Sequence, residues 1–203
     1  MRHWFDRSAA PPSAPVRSGD PSSAGGPAAI EFASVGEIDR RWAIALHAQA
    51  AQPTLLRLMV WCSRLGDGPM WLLVLGVLPL AGGTRGAHCA ALLVATGAVN
   101  LAIYWTIKRI TRRIRPCDQC PADIRACAPI PDCFSFPSGH SLHAAAFALL
   151  LSAFYPALAP LLWFYALLVA IARVILGLHY PSDVVGGGLI GAVTAAIVLV
   201  QLG

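Results

Sequence analysis

From Cys133 to Gly203 the only Asp, Glu, Lys or Arg side chains are Arg173 and Asp183. The residues between them are runs of Leu, Ala, Val, Ile and Phe, long enough to form membrane-spanning helices. The whole chain leans the same way: of 203 residues, 57% are hydrophobic and 12% charged, with a mean hydropathy of +0.63. That places it among small polytopic membrane proteins rather than soluble domains. An ionisable group inside such a protein is costly unless it faces a cavity or a partner, so Arg173 and Asp183 are the first candidates for function.

Residues 1–34 are rich in Pro, Ser, Gly and Ala, with no apolar run long enough for a signal-peptide core. They read as a disordered arm ahead of a membrane-embedded domain at 35–203. From Val35 to Leu65 apolar residues recur at helical intervals but are interrupted by His47, Gln49, Gln52, Pro53 and Arg57. This pattern predicts an interfacial N-terminal helix broken near Pro53. Spans follow from Met70 to Ala81 and from His88 to Ile107, joined by a tight turn through Gly82, Gly83, Arg85 and Gly86. After a polar loop from Pro116 to Pro137 come spans at Ser141–Tyr155, Leu158–Leu178 and Val184–Leu202. Gly186, Gly187, Gly188 and Gly191 let a neighbour pack closely on the last of them. The expected fold is all-α: a bundle of five transmembrane helices, or six if residues 42–63 also cross.

This connectivity puts the end of the second span, the start of the third and the junction of the last two on one membrane face, and each carries polar residues. The first cluster reads KRITRRIRP, Lys108 to Pro116. Lys108 and Arg115 stand close to two helical turns apart and can hold a phosphate; the alternative is a basic cluster that touches lipid headgroups or sets topology. The second is the turn Pro137-Ser138-Gly139-His140, where Ser138 reads as an N-cap. The helix start suits an anion, Gly139 permits close approach of a ligand, and His140 can donate a proton; an ordinary capped helix is the alternative. His143, one turn on, reads as packing or a supporting group. The third cluster is Arg173 to Asp183, RVILGLHYPSD, where Asp183 can orient His179 as a nucleophile or base. Its alternative is a buried Arg173–Asp183 ion pair that joins two helices. Together these cations, two histidines and one carboxylate, with no carboxylate set for magnesium, suit phosphoryl transfer through a phosphohistidine.

The net charge of +5 comes almost wholly from arginine, since Lys108 is the only lysine, and no basic nucleic-acid motif is present. Of the six cysteines, Cys62 and Cys89 lie in or beside apolar segments, whereas Cys117, Cys120, Cys127 and Cys133 share one loop. Their crowding predicts two disulfides on an oxidising face, in one of three pairings, with a zinc site as the rival.

Lys108 with Arg115-Pro116, then Pro137-Ser138-Gly139-His140, then Arg173 with His179 and Asp183, resembles the three-part signature of the type 2 phosphatidic acid phosphatase family, related to vanadium haloperoxidases. The resemblance covers roughly residues 36–203. It departs at Ala172, where the family often has serine beside the arginine. The resemblance implies that His179 attacks phosphorus, Asp183 orients it, and His140 protonates the leaving oxygen and then activates water. It further implies that Lys108, Arg115, Arg173, Ser138 and the Gly139 amide hold the phosphoryl oxygens, with no metal and no cofactor.

The implied substrate is a lipid phosphate or diphosphate whose tail stays in the bilayer, undecaprenyl diphosphate foremost. Phosphatidic acid, phosphatidylglycerophosphate and lipid A phosphates are the alternatives within this class; a silent lipid-binding or lipid-moving protein and a vanadate-dependent oxidant enzyme are the rivals outside it. The basic residues of this face would place it in the cytoplasm by the positive-inside rule. The cysteine-rich loop and the resemblance place it on the extracytoplasmic side of a bacterial plasma membrane, and that is the expectation adopted.

Overall fold

The structure is a computed structural model that describes residues 27–130 and 132–201, with side chains from Gly36 onward. Residues 1–26 of the expected arm lie outside the described residues. Helix α1, Pro27–His47, begins inside that arm, at a stretch of good helix formers (Ala28, Ala29, Glu31, Ala33). A 3-10 turn at Ala48–Ala51 and an extended Gln52 end it, and Pro53 starts α2, Pro53–Leu65. The break falls where Pro53 predicts it, because proline lacks the N–H that a continuing helix needs. α2 has 13 residues, too few to cross a bilayer. It buries Met59 and Cys62 against Ala172, Ile175 and Leu176 and leaves Leu58, Trp61 and Leu65 outward.

Helix α3, Gly68–Thr111, is two helices joined at Gly83, whose φ of 56° and ψ of −138° are not helical. The arms fold back on each other so tightly that a Cβ on Gly86 would lie 1.9 Å from the Leu78 carbonyl oxygen. A left-handed φ at Gly83 and a bare Cα at Gly86 are therefore both required. A short α4, Pro116–Gln119, lies in the polar loop; α5, Gly139–Phe154, α6, Ala159–Ile175, and α7, Pro181–Val200, complete the chain.

By length and composition α3, the helical stretch Pro156–Ile175 and α7 can each cross a membrane, and α5 is a shorter apolar helix. With α3 divided at Gly83 the described residues form an all-α bundle with five apolar segments. Phe147, Leu150 and Leu151 of α5 meet Leu93 and Cys89 of α3 and Ala195 of α7 in the main core, with Trp71 edge-on to Phe147. On the outside, Leu72, Leu80, Val94, Leu161, Phe164, Val185 and Leu189 are exposed. Such a continuous apolar exterior suits lipid and not water.

α5 and α7 touch through backbone. A Cβ on Gly191 would lie 2.0 Å from Leu142 O, and one on Gly187 would lie 2.5 Å from Ser138 O. The small-residue face of α7 thereby sets the height of the turn that opens α5.

Candidate active site

The ends of three elements meet at one face: the last turn of α3, the turn before α5 and the α6–α7 junction. α3 stops at Arg112, which takes a left-handed φ of 46°. The chain then runs extended through Arg113 and Arg115 and pairs Ile114 with Phe134 in an isolated bridge. Ser138 caps α5, its hydroxyl accepting from Ser141 N at 3.4 Å, while its own amide donates to Asp183 O at 3.0 Å. The α5 turn and the start of α7 are thus tied directly.

His179 is buried beneath this junction. Arg115 Nη1 donates to Leu178 O at 2.7 Å and approaches His179 Nε2 at 3.3 Å. An arginine only donates, so Nε2 is the bare nitrogen and the proton sits on Nδ1. Among the described residues Nδ1 has no hydrogen-bond partner, and Asp183 Oδ2 lies 3.6 Å from it. Burial, then the positive charges of Arg173, Arg115 and Lys108, push the His179 pKa well below its usual 6.5. A neutral imidazole with a free Nε2 lone pair is the state a nitrogen nucleophile needs.

Asp183 is held from its other side. Arg113 Nη1 donates to Oδ1 at 2.7 Å and Tyr180 N donates to Oδ2 at 2.8 Å. Arg113 Nη2 also reaches Asp39 on α1 at 2.5 Å, and Asp39 accepts from Ser182 N at 3.0 Å. Arg113 thus bridges two carboxylates, which raise its pKa above the usual arginine value although burial opposes the charge.

Lys108 and Arg115 share Asp132. Its Oδ1 accepts from Lys108 Nζ at 2.5 Å, from Arg115 Nη2 at 3.1 Å and from Phe134 N at 3.1 Å, and Oδ2 accepts from Tyr104 at 2.6 Å. Burial alone would raise the Asp132 pKa, but hydrogen bonds from Lys108 and Tyr104 and the charge of Arg115 hold it at about 2.

Arg173 differs from these cations. It is 3% exposed, its Nη1 donates to Ser63 at 2.8 Å, and its Nε has no partner. Among the described residues no carboxylate pairs with it, so the alternative reading of an Arg173–Asp183 ion pair does not describe this structure. Arg173 and His140 line one cavity of about 460 Å³ with Ser63, Arg64, Asp67 and Ile130. His140 Nε2 lies 2.8 Å from Asp67 Oδ1.

The structure therefore links Lys108, Arg115, Ser138, His179 and Asp183 through short contacts, with Arg173 O accepting from His179 N at 3.2 Å, while of this set Arg173 and His140 line the cavity. Several sequence expectations change. Beside Gly139 the Tyr104 ring would lie 2.8 Å from an added Cβ, so packing alone requires a bare Cα here. The expected disulfides are absent, and all six cysteines are free. Cys120 is buried against Ile124 and Tyr180 while Cys133 is exposed, so the loop sends its thiols in different directions. His143 turns toward Gly139 O at 2.9 Å and stacks edge-on to Phe147. Asp67, Asp132, Arg113 and Asp39 escaped sequence reasoning. For Arg113 a signal existed, its place within KRITRRIRP; Asp39, Asp67 and Asp132 sit in segments whose approach to the site only the fold reveals.

Residues 87–203 match the sequence profile of the PAP2 superfamily. The chain is 40% identical over 108 residues, 53% of its own length and 58% of the relative's, to the decaprenylphosphoryl-5-phosphoribose phosphatase of Mycobacterium tuberculosis. It is 30% identical over 140 residues, 68% of its length and 66% of the relative's, to the undecaprenyl-diphosphatase of Sulfolobus acidocaldarius. Each alignment spans less than two thirds of the relative. The structure is similar to the transmembrane PAP2-type phosphatidylglycerolphosphate phosphatase of Bacillus subtilis, with a TM-score of 0.65, 27% identity and coverage of 84% of this chain and 87% of that one. It is also similar to Aquifex aeolicus LpxE, with a TM-score of 0.68, 25% identity and coverage of 77% and 92%.

Proposed function

The chain belongs to the PAP2 superfamily, and from that premise we propose that it is an integral membrane lipid phosphatase that works through a phosphohistidine on His179 and needs no metal. The observation that carries this reading is Arg173, a buried guanidinium that lines the same cavity as His140 and that no carboxylate among the described residues pairs. An arginine so placed is costly until an anion arrives, and a phosphoryl group supplies two oxygens to its fork.

In the first half-reaction His179 Nε2 attacks phosphorus, a P–N bond forms, and the P–O bond to the lipid breaks as His140 gives its proton to the departing oxygen. In the second, water attacks phosphorus and yields its proton to His140; the P–N bond breaks and inorganic phosphate leaves. Asp183 stabilises the charge that develops on the His179 ring. Lys108, Arg115, Arg173 and the first-turn amides of α5, capped by Ser138, hold the phosphoryl oxygens as charge shifts, which replaces the work of a metal.

The substrate class is a polyprenyl-linked phosphate or diphosphate, undecaprenyl diphosphate included. Two observations support it: the matched relatives are named for decaprenyl- and undecaprenyl-linked substrates, and the site opens at the rim of an apolar bundle. The protein resides in a bacterial plasma membrane with this face extracytoplasmic. In this reading Lys108 and Arg115 serve phosphate binding, which accounts for part of the basic residues that the positive-inside rule would otherwise assign to the cytoplasm.

The test is phosphate release from undecaprenyl diphosphate and phosphatidic acid in detergent with EDTA, native protein against His179→Ala. EDTA-resistant release that disappears in the variant is expected. Full activity in the variant rejects His179 as nucleophile, and native protein that binds these lipids without releasing phosphate favours a silent lipid-binding role.

A further inference from the structure

One carboxylate at the cavity has no part in the scheme above. Asp67 lies in the turn between α2 and α3, ahead of the residues that match the family profile. Its Oδ1 is 2.8 Å from His140 Nε2. The turn is shaped to the ring: a Cβ on Gly66 would lie 3.2 Å from His140 Cδ2, and Trp71 Nε1 holds Gly66 O at 3.2 Å. Gly66 N and Asp67 N are bonded back to Ser63 O and Arg64 O at 3.0 Å each, which closes the end of α2. The charged or titratable groups that face the ring are Asp67 from this turn, Arg173 from α6 and His143 from its own helix, with Arg64 on the cavity wall.

We infer that Asp67 is a positioning residue for His140: it takes the Nε2–H, fixes the ring plane and leaves Nδ1 as the nitrogen that passes a proton to the departing lipid oxygen. This deepens the proposed reaction and rests on it. A ring with one nitrogen tied to a carboxylate keeps one orientation through both half-reactions. The carboxylate also supports the imidazolium, the form that must exist to protonate a poor leaving group. In the first half the proton goes from Nδ1 to the lipid oxygen as its bond to phosphorus breaks. In the second, water returns a proton to Nδ1, and the bond to Asp67 is the same before and after. A bland alternative is that Asp67 only pins the α2–α3 turn to α5.

Leaving-group chemistry separates the two. Hexadecyl phosphate expels an alkoxide, which requires protonation, whereas p-nitrophenyl phosphate expels a phenolate that scarcely does. With the full chain in detergent, Asp67→Asn is expected to lower kcat on hexadecyl phosphate by about ten- to a hundredfold with KM within about twofold. Its loss on the aryl ester should be smaller, so that the alkyl-to-aryl rate ratio falls at least about tenfold, and Asp67→Glu should restore most of that ratio. Equal losses on both esters, or no loss in Asp67→Asn while His140→Ala is inactive, would overturn the inference. Full alkyl turnover by His140→Ala would overturn His140 as the acid and the inference with it, whereas full turnover by His179→Ala would instead overturn the phosphohistidine reading beneath it.

Discussion

Lys108 Nζ and Asp132 Oδ1 are 2.5 Å apart, and the lysine and carboxylate side chains are 1% and 10% exposed. The same oxygen also takes Arg115 Nη2 at 3.1 Å. Asp132 thus places negative charge against two of the cations proposed to hold a phosphoryl group, as a counter-ion that an arriving phosphate must share or displace. Asp132→Asn removes that charge and keeps the shape. It should tighten inhibition by inorganic phosphate about tenfold and lower stability by about 2 kcal/mol, since a charge-assisted hydrogen bond is lost. Phosphate inhibition constants and thermal melts of the detergent-solubilised protein check both numbers. The pH sign follows from a pKa held at about 2 against an ordinary 3.8: the Asp132 contribution is fully present above pH 3.8 and is lost as pH falls toward 2.

His179 has a folded pKa well below 6.5, so it binds a proton more readily when unfolded. Its contribution to pH dependence is therefore complete above pH 6.5 and erodes as the medium becomes more acidic. The nucleophile stays neutral through the range where an ordinary histidine gains charge, and its protonation should not set an acid limb near pH 6.5 in the rate. His179→Ala should lower kcat by at least about a thousandfold. Acid-labile, base-stable label from a [32P]-phosphorylated lipid should appear on the native chain and vanish in the variant.

Arg113 reaches both Asp39 and Asp183 with a guanidinium fork that lysine lacks. Arg113→Lys should let Asp183 move off His179 and lower kcat about tenfold, with KM little changed, because Arg113 is not among the groups proposed to hold the phosphoryl oxygens. A double-mutant cycle with Asp39→Asn should show coupling of about 1 kcal/mol. Strict additivity would mean that the two residues act separately.

Gly191 meets the Leu142 carbonyl where a Cβ would stand 2.0 Å away. Backbone cannot yield as a side-chain tip does, so Gly191→Ala should force α5 and α7 apart and destabilise the protein by about 3 kcal/mol. Because Gly187 bears on Ser138 in the same way, loss of activity should accompany loss of melting temperature.

The five apolar segments were legible because hydropathy and helix length are local properties, and the break at Gly83 was legible because glycine marks it. The three clusters could be ordered on one face from span parity alone. Beyond reach were partnerships that depend on how a polar loop folds: Asp132 arrives beside Lys108 only because Ile114 pairs with Phe134, and Asp67 meets His140 only because α2 packs on α6. The disulfide expectation failed for a related reason. Proximity in sequence says nothing about direction, and Cys120 turns into the core while Cys133 turns out.

Membrane sidedness can be read through that last residue. Cys133 is exposed in the loop that carries Asp132, whereas Cys62, Cys89 and Cys120 are buried, and burial raises the thiol pKa of Cys117, in the same loop, to about 11. A membrane-impermeant maleimide needs an accessible thiolate, so Cys133 is the preferred target. With the site extracytoplasmic, intact cells should be labelled at Cys133, and Cys133→Ser should remove most of the signal. The turn at Gly83 lies at the other end of the bundle, where Arg85 bonds Phe154 O, so a cysteine placed at Thr84 should react only after the cells are opened. Labelling of Thr84→Cys but not Cys133 in intact cells would put the site in the cytoplasm and make its arginines ordinary inward anchors.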